Sequence, residues 1–288
     1  MNRRARAAPW RKLLYIQQPY PDNYTDQSFL SQLKRNSTVE KYSYWKLIKD
    51  FSLISLHLSI ITIVHIIFFG IYKYNWDETI PASIASFMSV LLYGLYTRYE
   101  DIQGQRPSNF KSSTFIMLSI LTLSPVLKSL SESTSSDSIW TLSIWLCLIN
   151  LILTNYQFDI SKSQLLNNFN PIFATNILIA NVIVLASRLT TTTQVFCFIL
   201  FAFEIHGLFP FFDFWLRLNF INVHWILLWS LLLITTISIY KMGGILFLAI
   251  WLTVHFSIVI LSPIYFLTLQ KYKDELQGPW DPAKPIVN

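Results

Sequence analysis

An all-α integral membrane protein is the fold this sequence predicts: a polytopic bundle of about eight transmembrane helices with a short cytoplasmic N-terminal region. Three observations predict it. The chain is 53% hydrophobic and only 13% charged, against about 25% charged residues in ordinary soluble domains, and its mean hydropathy is +0.42. Its apolar runs are continuous over roughly 20 residues, the length a helix needs to cross a hydrocarbon core about 30 Å thick. A transmembrane barrel would instead alternate apolar and polar residues over segments of about ten. The basic residues are confined to tails and loops beside the apolar runs, which accounts for the net charge of +6 through the positive-inside rule. No nucleic-acid partner is expected.

Residues 1–50 form the one sizeable polar region. Trp10, Leu13, Leu14, Tyr15 and Ile16 stand beside Arg11 and Lys12, the composition of an amphipathic segment lying on a membrane surface. No apolar core follows the basic MNRRARAAPW, so a cleaved signal peptide is not expected. In QPYPDNYTD (Gln18–Asp26) two prolines fix φ and Asp22-Asn23 supplies turn chemistry, which predicts a rigid, non-helical elbow. Asp26 is placed to cap a short helix carrying Phe29, Leu30 and Leu33 and ending at Lys34-Arg35. KYSYWKLIK (Lys41–Lys49) then reads as an aromatic and basic collar at the bilayer surface.

The predicted spans cover 51–72, 80–97, 112–131, 138–156, 172–188, 194–216, 223–240 and 243–269. The polar loop Asp159–Asn170 is assigned to the interface, and Lys241-Met242-Gly243-Gly244 to a tight hairpin between the last two spans. This divides the chain into an N-terminal docking segment (1–50), a transmembrane domain (51–269) and a C-terminal tail (270–288). With the N-terminus in the cytoplasm, 18 of the 22 Lys and Arg residues fall on that side, and an even number of spans puts both termini there. The sequons Asn23-Tyr24-Thr25 and Asn36-Ser37-Thr38 should then stay unglycosylated.

Charge inside a membrane is costly and marks ligand sites, pathways or helix contacts. Ser124, Pro125, Lys128 and Glu132 stand at the end of the third span, with Lys128 and Glu132 on one helical face. Arg188 ends the fifth span on the same predicted side, and the three charges read as a packing lock or a lipid contact. Ser136 or Asp137 is placed to cap the fourth span. Glu204 and His206 lie in the sixth span on opposite helical faces, so they read as separate structural hydrogen-bonding groups. His57 and His65 share a face but stand about 12 Å apart, too far for one metal ion. No metal site, cofactor or catalytic constellation is expected, and Cys147 and Cys197, both within spans, offer no disulfide framework. Asp77-Glu78 is similar to the acidic first loop of lipid-linked-sugar transferases, although its loop of about seven residues is too short for a substrate cleft.

Several separated motifs carry a family resemblance. Trp10-Arg11-Lys12 with Leu14-Tyr15, the PYPDNYTD run and Phe29-Leu30 resemble the N-terminal signature of the C-type subunit of phosphatidylinositol N-acetylglucosaminyltransferase. Ser124–Leu130 with Glu132 and Asp137–Ile139 resembles that family's central motif, and Ala186–Leu189 and Gly278–Asp281 match further signatures in the same order. The resemblance implies a non-catalytic subunit of the endoplasmic-reticulum complex that transfers GlcNAc from UDP-GlcNAc to phosphatidylinositol on the cytoplasmic face, the first step of glycosylphosphatidylinositol (GPI) anchor synthesis. It implies an A-type catalytic subunit and H-, P-, Q- and Y-type subunits as partners, with phosphatidylinositol as a membrane ligand. Because Lys128, Glu132 and Arg188 fall on the lumenal side, the docking expectation rests on Trp10, Tyr15, Pro19, Tyr20, Pro21, Asp22, Asn23 and Tyr24. Two rival readings are a lipid scramblase or transporter using Glu204, His206 or Lys128, and a membrane-embedded glycosyltransferase using Asp77 or Glu78.

Overall fold

The computed structural model describes residues 17–21, 24, 34–36, 42–102, 119, 122, 125, 126, 129, 136–156, 172–274, 276 and 277. The chain separates into two compact units, Tyr44–Ile264 and a unit built from both chain ends, Met1–Ser43 with Tyr265–Asn288. The described residues are helical apart from turns and a pair of two-residue strands.

Helix α1 runs from Tyr44 to Tyr74, so the aromatic collar begins the helix rather than preceding it. Its 31 residues extend about 46 Å, longer than the hydrocarbon core. It ends where Asn75 turns left-handed at φ 50° and the Trp76 N–H donates to Gly70 O at 3.1 Å. The Trp76 ring then lies against Gly70, where any Cβ would collide with it. Helix α2 (Thr79–Ile102) follows at once. Asp77 Oδ1 accepts from the Thr79 hydroxyl at 2.6 Å and the Thr79 N–H at 2.9 Å, and these bonds hold its carboxyl below the usual carboxylate range. Asp77 therefore closes the start of a helix.

Helices α3 (Ser136–Leu153) and α4 (Ile172–Ala186) are shorter; the 15 residues of α4 reach only about 22 Å. Helix α5 (Thr192–Phe203) opens on a capping box in which Thr191 and Gln194 satisfy each other's backbone N–H groups. It continues through a π-helical turn, Glu204–Leu208, into α6 (Phe209–Asn219). A second π-helical turn, Ser257–Leu261, joins α7 (Ile221–Phe256) to α8 (Ser262–Gln270). Each ends two residues before a proline, Pro210 or Pro263. A proline ring clashes with the carbonyl four residues earlier, here His206 or Val259, and the widened i→i−5 turn moves that carbonyl away.

Among the described residues, four helical stretches are long and apolar enough to cross a membrane: Tyr44–Tyr74, Thr79–Tyr99, Thr192–Asn219 and Ile221–Gln270. The last spans 50 residues but is not one rod. Gly244 leaves the helical region at φ 74°, ψ −165°, and Trp251 Nε1 donates to Thr236 Oγ1 at 3.2 Å. In a straight helix residues 15 apart would be about 22 Å apart. The chain folds back at the Lys241–Gly244 hairpin that the sequence placed there, and Gly244 occupies a φ that L side chains rarely adopt.

Helix α1 is the axis of the helical unit. Val64 and Phe68 pack with Leu185 of α4 and Val195, Phe198 and Ala202 of α5, all fully or almost fully buried. The Phe68 ring meets Phe198 and Trp140 with centroids 5.5 Å apart in each case. Further toward its N-terminus, Leu56 and Ile60 pack on Leu228 of α7, while Ser59 meets His255 beyond the hairpin at 3.4 Å. Both arms of α7 therefore touch α1.

In the unit of chain ends, β1 (Lys34–Arg35) pairs antiparallel with β2 (Leu276–Gln277), Lys34 opposite Gln277 and Arg35 opposite Leu276. The expectation that Lys34-Arg35 ends a helix is corrected. They are strand, because the C-terminal tail supplies backbone partners more than 200 residues away that no local pattern could announce. Residues 22, 23 and 25–33 lie outside the described residues.

Candidate functional site

Among the described residues of the helical unit, polar side chains gather in two places. The first is a seam where α3 faces α1 and α4. Ser143, Cys147 and Asn150 of α3 and Thr154 just beyond its end recur every three or four residues, so they fall on one face. Ser143 Oγ donates to Asn181 Oδ1 at 2.6 Å and lies 3.1 Å from His65 Nε2. Asn181 Nδ2 donates to Cys147 Sγ at 3.3 Å, and Cys147 Sγ stands 3.6 Å from His65 Nε2. His65 Nδ1 faces Ile61 O at 2.8 Å, a contact that makes Nδ1 the protonated nitrogen and Nε2 the acceptor. Asn150 Nδ2 donates to Ala174 O at 2.8 Å, and His57 Nδ1 meets the Tyr156 hydroxyl at 2.7 Å. In hydrocarbon such pairs hold helices together, each contributing about 0.6–2 kcal/mol.

The second gathering is at the turn between α6 and α7. Asp213 is buried and uses both carboxylate oxygens: Arg217 Nε donates to Oδ2 at 3.1 Å, and His224 Nδ1 donates to Oδ1 at 2.6 Å. Trp215 sits edge-on to Tyr96, Tyr99 and Phe220, with centroids 5.5–5.9 Å apart. The Tyr99 hydroxyl donates to Asn219 Oδ1 at 3.1 Å, tying α2 to the same turn. The arrangement fixes the turn and commits Asp213 to it.

On the π-helical turn, Glu204 Oε1 accepts from Ser86 Oγ of α2 at 2.8 Å, an interhelical bond of the kind expected for it. Both ring nitrogens of His206 are buried and have no hydrogen-bond partner among the described residues. His57 and His65 turn to different partners, as their spacing implies.

The sequence-derived candidates are only partly described. Trp10, Tyr15, Asp22, Asn23, Ser124, Lys128 and Glu132 lie outside the described residues. Pro125 is helical and exposed. Arg188 is half-buried in the turn after α4, its N–H donating to Leu185 O at 3.0 Å. At the elbow, Pro19 and Pro21 are exposed, the Tyr24 N–H closes a turn on Pro21 O at 2.9 Å, and the Tyr20 and Tyr24 rings pack at 4.4 Å. The segment is non-helical where described.

Sequence reasoning missed the α3 seam and the Asp213–Arg217–His224 group. The four-residue spacing of Asp213 and Arg217, with His224 just beyond a turn, was a usable signal for the second. The stripe on α3 was a signal for the first, although not for which helices it would meet.

A helical body joined by buried polar pairs, with stretches long and apolar enough to cross a membrane, fits a membrane protein. Residues 10–281 match the family model GPI2, phosphatidylinositol N-acetylglucosaminyltransferase, and the chain belongs to that family. It is 31% identical over 287 residues to the phosphatidylinositol N-acetylglucosaminyltransferase GPI2 subunit of Schizosaccharomyces pombe, covering 96% of this chain and 87% of that one. Identity to the GPI2 subunit of Saccharomyces cerevisiae is 32% over 293 residues, covering 98% and 99% of the two chains. The human C-type subunit of phosphatidylinositol N-acetylglucosaminyltransferase is 30% identical over 290 residues, covering 96% and 92%. No solved structure matches the chain.

Proposed function

We propose that this chain is a non-catalytic membrane subunit of the complex that transfers GlcNAc from UDP-GlcNAc to phosphatidylinositol, the opening step of GPI-anchor synthesis. The observation that carries this reading is a family match running from residue 10 to 281, through the apolar helical body and into both chain ends. A body held together by buried helix-to-helix hydrogen bonds suits a scaffold that organises partners and presents a lipid acceptor. In this reading the chain lies in the endoplasmic-reticulum membrane with about eight spans and both termini cytoplasmic, consistent with 18 of 22 basic residues on that side. Its partners are the A-type catalytic subunit and the H-, P-, Q- and Y-type subunits. The N-terminal elbow, from Trp10 and Tyr15 through Pro19–Tyr24, receives the catalytic subunit, while Lys128, Glu132 and Arg188 lock spans on the lumenal side.

The test is copurification from native membranes. The tagged chain should bring down the catalytic subunit, and Asp22→Ala with Asn23→Ala should reduce that recovery while the level of this chain stays constant. Unchanged recovery would remove the elbow from the interface.

A further inference from the structure

Two contacts clasp the chain ends to each other. Lys34 and Arg35 pair with Gln277 and Leu276, and the Tyr42 ring packs edge-on against Phe266 at 5.6 Å. The intervening backbone turns at Asn36, which stands at φ 55°. The N-terminal arm is thus held at two points by residues from the end of the last helix and the tail. Two-residue strands are marginal in water when alone, so neither end would keep this geometry without the other.

Charge is concentrated in the same unit. Residues 1–43 and 265–288 hold eleven of the 22 Lys and Arg residues and six of the 16 Asp and Glu residues, which leaves +5 of the chain's net +6 there. Lys34, Lys271 and Lys273 are exposed.

We propose that the clasped chain ends form one composite docking surface, in which the C-terminal tail positions the N-terminal arm, and that the occupant is an acidic face of a protein partner. The inference rests on the docking role given above to the N-terminal segment and adds the tail to it. A defined strand pair and a Pro19–Pro21 elbow with Tyr20 and Tyr24 packed ring against ring favour a protein over anionic lipid, because headgroup attraction needs charge and an apolar face but no defined backbone. Complementary charge steers association and makes it fall with salt.

The test uses the full chain in native membranes and reads recovery of the catalytic subunit. Leu276→Pro with Gln277→Pro removes both tail N–H groups and should lower recovery at least ~fivefold with this chain's membrane level unchanged. Lys34→Glu should lower it in the same direction, and raising salt should weaken the native association. Joining the strands through Lys34→Cys with Gln277→Cys, opposite each other in the pair, should leave recovery intact after oxidation. Full recovery in the proline variant, or loss on locking, overturns the inference. Full recovery in that variant with loss of activity only in phosphatidylinositol vesicles would assign the surface to lipid instead. The elbow variant separates the two readings: if it has no effect while the proline variant loses the partner, the elbow role fails and the tail role stands.

Discussion

Helices α1 and α7 carry the same kinds of polar residue, and those that reach beyond their own helix are buried or half-buried. On α1, His57, Ser59 and His65 reach beyond their helix to Tyr156, His255 and Ser143, although Ser52, Ser59, Thr62 and His65 also bond to carbonyls of α1 itself. On α7, the exposed or half-buried Ser230, Thr236 and Ser238 donate to carbonyls three or four residues back on their own helix, as does Thr253 beyond the hairpin, while the buried His224 reaches Asp213 of α6. Helix α1 is the buried axis, whereas α7 exposes Ile226, Trp229, Leu233 and Ile237 along one side. A hydroxyl that faces lipid must be satisfied locally, because no partner waits outside. A polar group inside the bundle can instead specify which helix packs beside it.

The contrast can be broken most sharply where α6 meets α7. Asp213→Ala removes the acceptor for Arg217 and His224 together and leaves a cation without its buried partner. It should cost about 3–5 kcal/mol, read as loss of monodisperse protein in mild detergent or a large fall in unfolding temperature. Next comes the apolar core. Phe198→Ala beside Phe68 gains nothing from water exclusion, since lipid is as apolar as the core. Only the cavity term remains, roughly 2–3 kcal/mol for a void of about 100 Å³. A cost near zero would mean that the α1–α5 contact is loose.

The smallest effects sharpen the comparison itself. Asn181→Ala, which unties α4 from Ser143 and Cys147, should cost about 0.6–2 kcal/mol. Ser238→Ala and Thr253→Ala should each stay within about 0.5 kcal/mol, because their bonds are internal to α7. Equal costs at Asn181 and Ser238, measured by reversible denaturant unfolding in detergent, would erase the distinction.

Much of this was legible before any coordinates. Continuous apolar runs announced the helices, and Gly243-Gly244 beside Lys241 announced the hairpin, because only a local signal was needed in each case. Pro19, Pro21 and the Asp22-Asn23 pair announced a non-helical elbow for the same reason. The α3 seam was less legible: its spacing shows a polar face, but His65 stands 78 residues from Ser143 and periodicity carries no address. The strand at Lys34-Arg35 was illegible, since its partner lies at the other end of the chain. The π-helical turns were half visible, as prolines that had to be accommodated somehow.

The role proposed for this chain is to assemble a glycosyltransferase without performing the transfer. The direct measurement is GlcNAc transfer from UDP-GlcNAc to phosphatidylinositol by the purified chain alone, and by the complex isolated on it from native membranes. Transfer by the complex and none by the single chain is the expected result. Transfer by the single chain would contradict it and make this protein the catalyst.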